Sequence, residues 1–372
     1  MRVLAFFLNN YKYGELLRGA ERRFFELSTR LKELGVDIFA LEYESFHSEA
    51  WGSHGYSPIK IKARFSNHNL LSALRVVVLG LVACVKCKCD IIYVPCRFAW
   101  AKGLWVGLVA PYVVGCLCRK PLVIVFHHIQ PRDFRERNPI VLRAYRNATC
   151  LAVSKATAND VCRCFRVRNV EIVGNGIDLN FFRTANQGSK EYDAVFLGRV
   201  AEDKGIFDLL RTWKIVVERV PSAHLLLIGG VDNSIQEKLH KTIRLLELKQ
   251  NVTVAGFTPD RKMAQLLKSS KMFLLPSLRE GFGLAVAEAI AAGLPCIISD
   301  LPALREFYSS VAIFVQPANP EKMAEAVLFL LSNPEKRGEL QEKGEKLVNR
   351  FSWKEVAMKE FKVLQNLSTI QE

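Results

Sequence analysis

Short apolar runs alternate, through the first half of the chain, with longer segments whose apolar positions recur every three or four residues. The runs at 2–8, 37–43, 90–95, 122–126, 150–153 and 170–173 predict strands. The periodic segments at 20–34, 69–86, 98–118, 139–147 and 155–165 predict the helices between them. These strands carry few polar residues on either face. Such strands belong to a parallel sheet with helices packed on each side. Right-handed crossovers then place the loops that follow the strands along one edge, where ligands bind.

A polar stretch at 184–191, TANQGSKE, interrupts the pattern, which then begins again. Strands are expected at 193–197, 224–228, 252–255, 272–276, 296–299 and 312–315, and helices at 205–220, 234–246, 260–267, 320–331 and 334–349. The same alternation twice in 372 residues predicts an α/β chain of two doubly wound, Rossmann-like domains, 1–183 and 184–372, facing across a cleft. A final helix at about 352–366 is expected to pack back on the first domain.

Composition sharpens this picture in one respect. Half of the residues are hydrophobic and 24% are charged, which excludes a disordered chain. The net charge of +15 is lopsided: residues 1–180 hold 26 Lys+Arg against 14 Asp+Glu, a net of +12. Arg132, Arg135, Arg137, Arg143 and Arg146 cluster within it. An anionic partner on that side is expected, either nucleic acid or an anionic membrane surface; a generic solubility device is the plainer alternative. The stretches 70–85 and 98–118 are oily, but Arg75 and Gly80 interrupt the first, and Lys102, Gly103, Gly107 and Pro111 the second. Neither is a clean span of about 20 apolar residues, so both read as buried or membrane-leaning crossover helices. The opening MRVLAFFLNNYKYGE lacks a long apolar run and a small-residue cleavage site, so no signal peptide is expected. Cys84, Cys87 and Cys89 have a ligand-like spacing, yet no second C-x-x-C accompanies them. The ten cysteines are expected to be reduced thiols acting as small hydrophobes in a cytosolic protein.

Two loops carry the candidate chemistry. In VFLGRVAEDKG, 195–205, a strand ends in Gly198, Arg199 follows on the loop, and Lys204 precedes the next helix. Two cations beside a helix N-terminus suit a phosphate, although an exposed turn with two solvated cations has the same sequence. In LREGFGLAVAEAIAAGLP, 278–295, Glu280 sits in a loop with Gly281 and Gly283, and Glu288 is the one charge in an otherwise apolar helix. An amphipathic surface helix would carry several charges. The glycines let backbone approach a ligand, and the amides from Phe282 to Ala285 suit phosphate or sugar oxygens. Glu288 is placed for vicinal hydroxyls such as a ribose diol, and Glu280 for sugar hydroxyls. The plainer reading leaves Glu280 complementing the helix dipole and Glu288 as a surface charge.

With these stretches and VGNGID at 173–178, the chain resembles the GT-B glycosyltransferases, specifically the large family 4 of retaining enzymes. EGFGLAVAE matches that family's E-x7-E signature, GRVAEDKG its donor-phosphate loop, and VGNGID its usual V-P-N-G-V-D at the domain junction. RGAERR at 18–23 is similar to its glycine-rich first loop, PLVIVFH at 121–127 to the strand ending in an active-site histidine, and AVSKAT at 152–157 is a further match. The chain departs from the family at Arg18, His128 and Gly174, where Gly, Asp and Pro are common.

The resemblance implies that Arg199 and Lys204 neutralise a donor diphosphate, Glu288 binds ribose hydroxyls, and Glu280 holds the transferred sugar. Backbone at Gly198 and from Gly281 through Phe282 and Gly283 to Leu284 would line the donor, and Gly256 and Phe257 would flank the base. Gly19 would let diphosphate and acceptor approach. His127 or its neighbour His128 would face the acceptor. The implied activity is transfer of a hexosyl unit from a GDP- or UDP-linked sugar to an acceptor hydroxyl with retention, the leaving phosphate acting as base. No metal or other cofactor is expected, and no D-x-D motif is present. Mannose from GDP is favoured by family frequency. The basic half points to a glycan or lipid-linked acceptor and to a cytoplasmic protein peripheral on the inner face of the cell membrane. A sugar-nucleotide epimerase or hydrolase would share the donor site. A non-enzymatic nucleic-acid binder would suit the charge, but no nucleic-acid module accompanies it.

Overall fold

In the computed structural model, which describes residues 1–8, 19–43, 55–61, 70–95, 105–129, 138–186 and 189–369, the apolar runs form two parallel sheets. The chain divides into two units, Met1–Gly176 with Trp353–Glu372, and Ile177–Ser352.

The first unit contains β1 (Arg2–Phe6), β2 (Asp37–Tyr43), β3 (Tyr56–Ile61), β4 (Ile91–Val94), β5 (Leu122–Phe126), β6 (Thr149–Ala152) and β7 (Val170–Ile172). They are ordered β3-β2-β1-β4-β5-β6-β7 and every pairing is parallel. The connecting helices are α1 (Gly19–Glu33), α2 (Leu70–Cys87), α3 (Ala110–Cys118), α4 (Pro139–Asn147) and α5 (Lys155–Phe165). β4 and β5 are buried at every residue, as helix-covered parallel strands must be.

The second unit repeats the plan. Its strands are β8 (Ala194–Leu197), β9 (Leu225–Ile228), β10 (Val252–Gly256), β11 (Phe273–Leu275), β12 (Cys296–Ser299) and β13 (Ala312–Val315), ordered β10-β9-β8-β11-β12-β13. Its helices are α6 (Leu179–Thr184), α7 (Ile206–Arg219), α8 (Gln236–Leu245), α9 (Asp260–Lys268), α10 (Leu284–Ala291), α11 (Pro302–Tyr308), α12 (Pro320–Ser332) and α13 (Pro334–Val348). The last helix, α14 (Trp353–Thr369), counts with the first unit.

Besides the short helices α6 and α11, which were not expected, three features depart from the sequence reading. Strand β3 was not expected, because Pro58 breaks its apolar pattern; β3 is the edge strand, where a missing N–H is tolerated. The segment expected as a helix at 98–118 lies outside the described residues up to 104. From there a π turn over Trp105–Val109 leads into α3, with Pro111 in its first turn. The units divide at 176/177, not at 183/184. Asp178 caps α6 through a bond from the Phe181 N–H (3.1 Å), α6 packs on α10, and the Ile177 N–H donates to the Phe351 carbonyl at 3.0 Å. The polar stretch at 184–191 therefore falls within the second unit's range.

A buried ion pair ties α14 into the first unit. The Arg23 guanidinium donates to Glu360 at 2.6 Å with both side chains essentially inaccessible, and the Tyr93 hydroxyl donates to the other Glu360 oxygen. Burial works against the Arg23 charge, but Glu360 and, after it, Tyr93 together more than offset this. Beside it, a side chain at Gly176 would place its Cβ 2.4 Å from the Trp353 nitrogen, so only glycine fits where α14 begins. Removing one partner leaves a buried charge without compensation. We expect Glu360→Ala to lower the stability of the first unit by about 3–5 kcal/mol in urea unfolding followed by circular dichroism, and Arg23→Met/Glu360→Leu to recover most of it. Wild-type stability of the single variant would refute the assignment.

Candidate functional site

In the second sheet the strand order reverses between β8 and β11. The connection through α7 leads one way to β9, and that through α10 leads the other way to β12, so the loops after β8 and β11 diverge at one edge. Both candidate motifs lie there. After β8 the backbone turns at Gly198, passes Arg199, and makes one 3-10 turn over Glu202–Lys204 before Gly205 starts α7. Gly205 has φ +68, and a Cβ on it would lie 2.1 Å from the Pro276 carbonyl oxygen. The Leu278 N–H donates to the Asp203 carbonyl at 3.0 Å. The two loops are thereby docked backbone to backbone.

That docking brings Lys204 and Glu280 together. The Lys204 ammonium donates to Glu280 Oε1 at 2.7 Å, and the Ser277 hydroxyl donates to the same oxygen at 2.9 Å. Gly281 and Phe282 follow in the loop. Gly283 (φ +79) precedes α10, and no side chain caps the helix, so its first-turn amides at Leu284 and Ala285 suit an anion. The loop is anchored from below: Phe282 is buried against the rings of Phe307 (4.6 Å) and Phe351 (5.3 Å), and the Tyr308 hydroxyl donates to the Gly283 carbonyl at 3.2 Å. Glu288 is buried on α10. Burial pushes the Tyr308 phenol well above its ordinary range, and the negative charges of Glu280 and Glu288 add to this.

Arg199 is held between two carboxylates that the sequence reading assigned no role. Its guanidinium donates twice to Asp203, at 2.7 and 2.9 Å, and once to Asp232 at 2.9 Å. Three of its five N–H donors are thus engaged, which leaves two for a phosphate. Burial works against ionised Asp232, but bonds from Ser234 and the Arg199 charge hold its carboxyl below the usual range. Asp203 stands inside the quoted loop. Asp232 follows β9 in VDNS and reads as a local turn residue, so only the fold brings it to Arg199. The ends of β8, β9 and β10 converge through glycines: a Cβ on Gly229 would meet the Gly198 oxygen at 1.9 Å, and the Gly229 N–H donates to the Gly256 carbonyl at 2.9 Å. Phe257 follows and is 46% exposed.

The remaining candidates belong to the first unit. Gly19 opens α1 and is exposed; its neighbour Arg18, like Arg132, Arg135 and Arg137, lies outside the described residues. His127 directly follows β5 and is half-buried, whereas His128 is exposed. The His127 Nε2–H donates to the Pro95 carbonyl at 3.1 Å, because a carbonyl only accepts; Nδ1 is left as an acceptor. Burial pushes its pKa down to about 3, and the positive charge of Arg23 adds to this while the Pro95 bond opposes it. His127 is therefore a neutral imidazole at pH 7, set partly by an arginine that α14 holds. Among the described residues no group of three carboxylates, imidazoles or thiols is placed to hold a metal ion. Cys84 and Cys89 lie 3.0 Å apart, sulfur to sulfur, and burial pushes both thiols up.

Two family descriptions match consecutive parts of the chain: Glycosyltransferase Family 4 over residues 17–181, and Glycosyl transferases group 1 over residues 179–347. The chain belongs to the GT-B glycosyltransferases of family 4. This family-4 chain is 29% identical over 265 residues to the MMP alpha-(1->4)-mannosyltransferase of Mycolicibacterium hassiacum, which covers 64% of the chain and 63% of that protein. It is 26% identical over 229 residues to the GDP-mannose:cellobiosyl-diphosphopolyprenol alpha-mannosyltransferase of Komagataeibacter xylinus, covering 60% of the chain and 57% of that protein. The chain thus spans somewhat less than two-thirds of the length of these curated relatives. Its fold matches the crystal structure of Anabaena HepE in complex with UDP and glucose with a TM-score of 0.78 at 18% identity, over 98% of this chain and 99% of that one.

The His127 environment has a consequence for stability. In the unfolded chain the imidazole takes a proton below about 6.5, but in the folded chain only near pH 3, so acid favours unfolding throughout that window. We expect the melting temperature of the wild type to fall more steeply than that of His127→Gln as the pH drops from 6.5 towards 4. Parallel profiles would show that the imidazole is not held neutral.

Proposed function

We propose that the chain transfers a hexosyl unit from a nucleotide diphosphate sugar to an acceptor hydroxyl, with retention at the anomeric carbon and without a metal. The Lys204–Glu280 pair, at the edge where the strand order reverses, carries this reading. One partner comes from a loop suited to phosphate and the other from a loop suited to sugar. A ligand that spans both has a diphosphate next to a hexose. Lys204 and Ser277 both hold Glu280 Oε1, which orients Oε2 for sugar hydroxyls. Buried Glu288 suits the ribose diol, and Gly256 and Phe257 flank the base.

As the glycosidic bond breaks, negative charge gathers on the leaving phosphate. Lys204, the two remaining donors of Arg199 and the N-terminus of α10 stabilise that charge where it develops. With these cations in place a divalent ion is not needed, and the phosphate itself serves as base towards the acceptor. Neutral His127 offers Nδ1 as an acceptor of a hydrogen bond from a substrate hydroxyl. The Komagataeibacter relative's name gives it a GDP-mannose donor and a diphosphopolyprenol-linked acceptor, which supports a GDP-mannose donor and a lipid-linked acceptor here too. The +12 first half supports work at an anionic membrane surface, peripheral to it.

We expect Arg199→Ala and Lys204→Ala each to lower turnover of the nucleotide sugar by about a hundredfold or more, since each removes a contact worth on the order of 3 kcal/mol. Near-normal rates would sink the assignment, and turnover without any acceptor would point to a hydrolase or epimerase. Activity should persist in EDTA. Complete loss that Mg2+ or Mn2+ restores would refute a metal-free reaction.

A further inference from the structure

Helix α2 leaves an apolar stripe in solvent. Leu74 (58% exposed), Val78 (53%), Val82 (46%) and Val85 (72%) recur at a helical spacing that puts them on one outward arc. The opposite side of the helix, through Ala73, Val76, Ala83 and Cys84, is built into the core of the first unit. The stripe has no freedom to turn inward. Gly80 sits so close to the sheet and α3 that a Cβ there would meet Phe6 at 2.8 Å and Val114 at 2.9 Å, which fixes the helix in rotation. Helix α3 packs alongside α2 and carries a further exposed apolar side chain, Leu117 (64% exposed). Contiguous apolar surface of this kind on a soluble domain marks a contact surface.

Its rim identifies the occupant. Arg75, Lys86 and Lys88 are exposed along the edge of the stripe, and neither α2 nor α3 contains an aspartate or glutamate. A second copy of this chain, related by a two-fold axis, would bring the same cations against one another. An anionic bilayer surface meets both properties: headgroups face the cations and acyl chains receive the valines. No helix of the described residues is long and apolar enough to cross a membrane, so α2 lies along the surface. We propose that the exposed face of α2, with Leu117 of α3, is the surface that seats this protein on a bilayer containing anionic lipid. This rests on the membrane association proposed above and names the residues that make it.

The experiment is co-sedimentation of the full chain with vesicles of phosphatidylcholine containing phosphatidylglycerol at low salt. We expect the wild type to bind, Val78→Asp/Val82→Asp to reduce its partitioning about tenfold or more, and Lys86→Glu/Lys88→Glu to reduce it by a similar factor on anionic vesicles. Thermal melting checks that the variants are folded, as substitutions at exposed positions should be. Vesicle binding by the valine variant equal to wild type overturns the proposal, as does failure of the wild type to bind. A wild-type dimer that Val78→Asp/Val82→Asp converts to monomer also overturns it and assigns the face to a second copy. Binding of GDP- and UDP-sugars without vesicles is measured in parallel and should be the same in all variants. Its absence in the wild type would count against the donor site alone and leave the vesicle result standing.

Discussion

The candidate site of the second unit depends on one close approach, that of Gly205 to Pro276. No side chain fits at 205, because its Cβ would lie 2.1 Å from a carbonyl oxygen, far inside van der Waals contact, and the left-handed φ there adds a second reason for glycine. That contact locks the loop after β8 onto the loop after β11. The pairing of Lys204 with Glu280 follows from it. Lys204 reaches Glu280, Asp203 presents its carbonyl to Leu278, and Arg199 is left facing Asp203 and Asp232. The strand order supplies the gap between diverging connections, and the glycine lets the two loops close it.

Charge is handled differently in the two units. At the edge where the second sheet's strand order reverses, the ions are partly exposed, and Arg199 and Lys204 each already have a carboxylate partner. In the first unit the Arg23–Glu360 pair is fully buried, and such a pair contributes little net stability while intact but much is lost when one member goes. Its benefit is positional. It fixes α14 on α1 and β4, and it sets a permanent positive charge close enough to His127 to help keep the imidazole neutral. A helix at the far end of the chain thus influences the protonation state at the end of β5.

The oily character of 70–85 has the same double reading in structure as in sequence. Half of α2 is core and half is exposed valine and leucine, an arrangement that helical periodicity alone would not separate, because apolar residues occur all round the helix. Only the packing of Gly80 against Phe6 and Val114 tells which face is which.

The local pattern determined much about this protein. Nearly continuous apolar strands alternating with periodic helices point to parallel sheets covered on both faces, and the glycines and acids of 198–205 and 280–288 marked out the two candidate loops, because short-range backbone and side-chain chemistry is written in neighbouring residues. Edge strand β3, with its proline, and the short helix α6 escaped notice because their stability comes from what they pack on. Tertiary structure alone decided the long-range pairings: Arg199 with Asp232, Lys204 with Glu280, Arg23 with Glu360, and the inward turn of His127 while His128 faces outward. Each depends on burial and on charges brought together from distant parts of the chain. Neither propensity nor spacing encodes those until the sheets have formed.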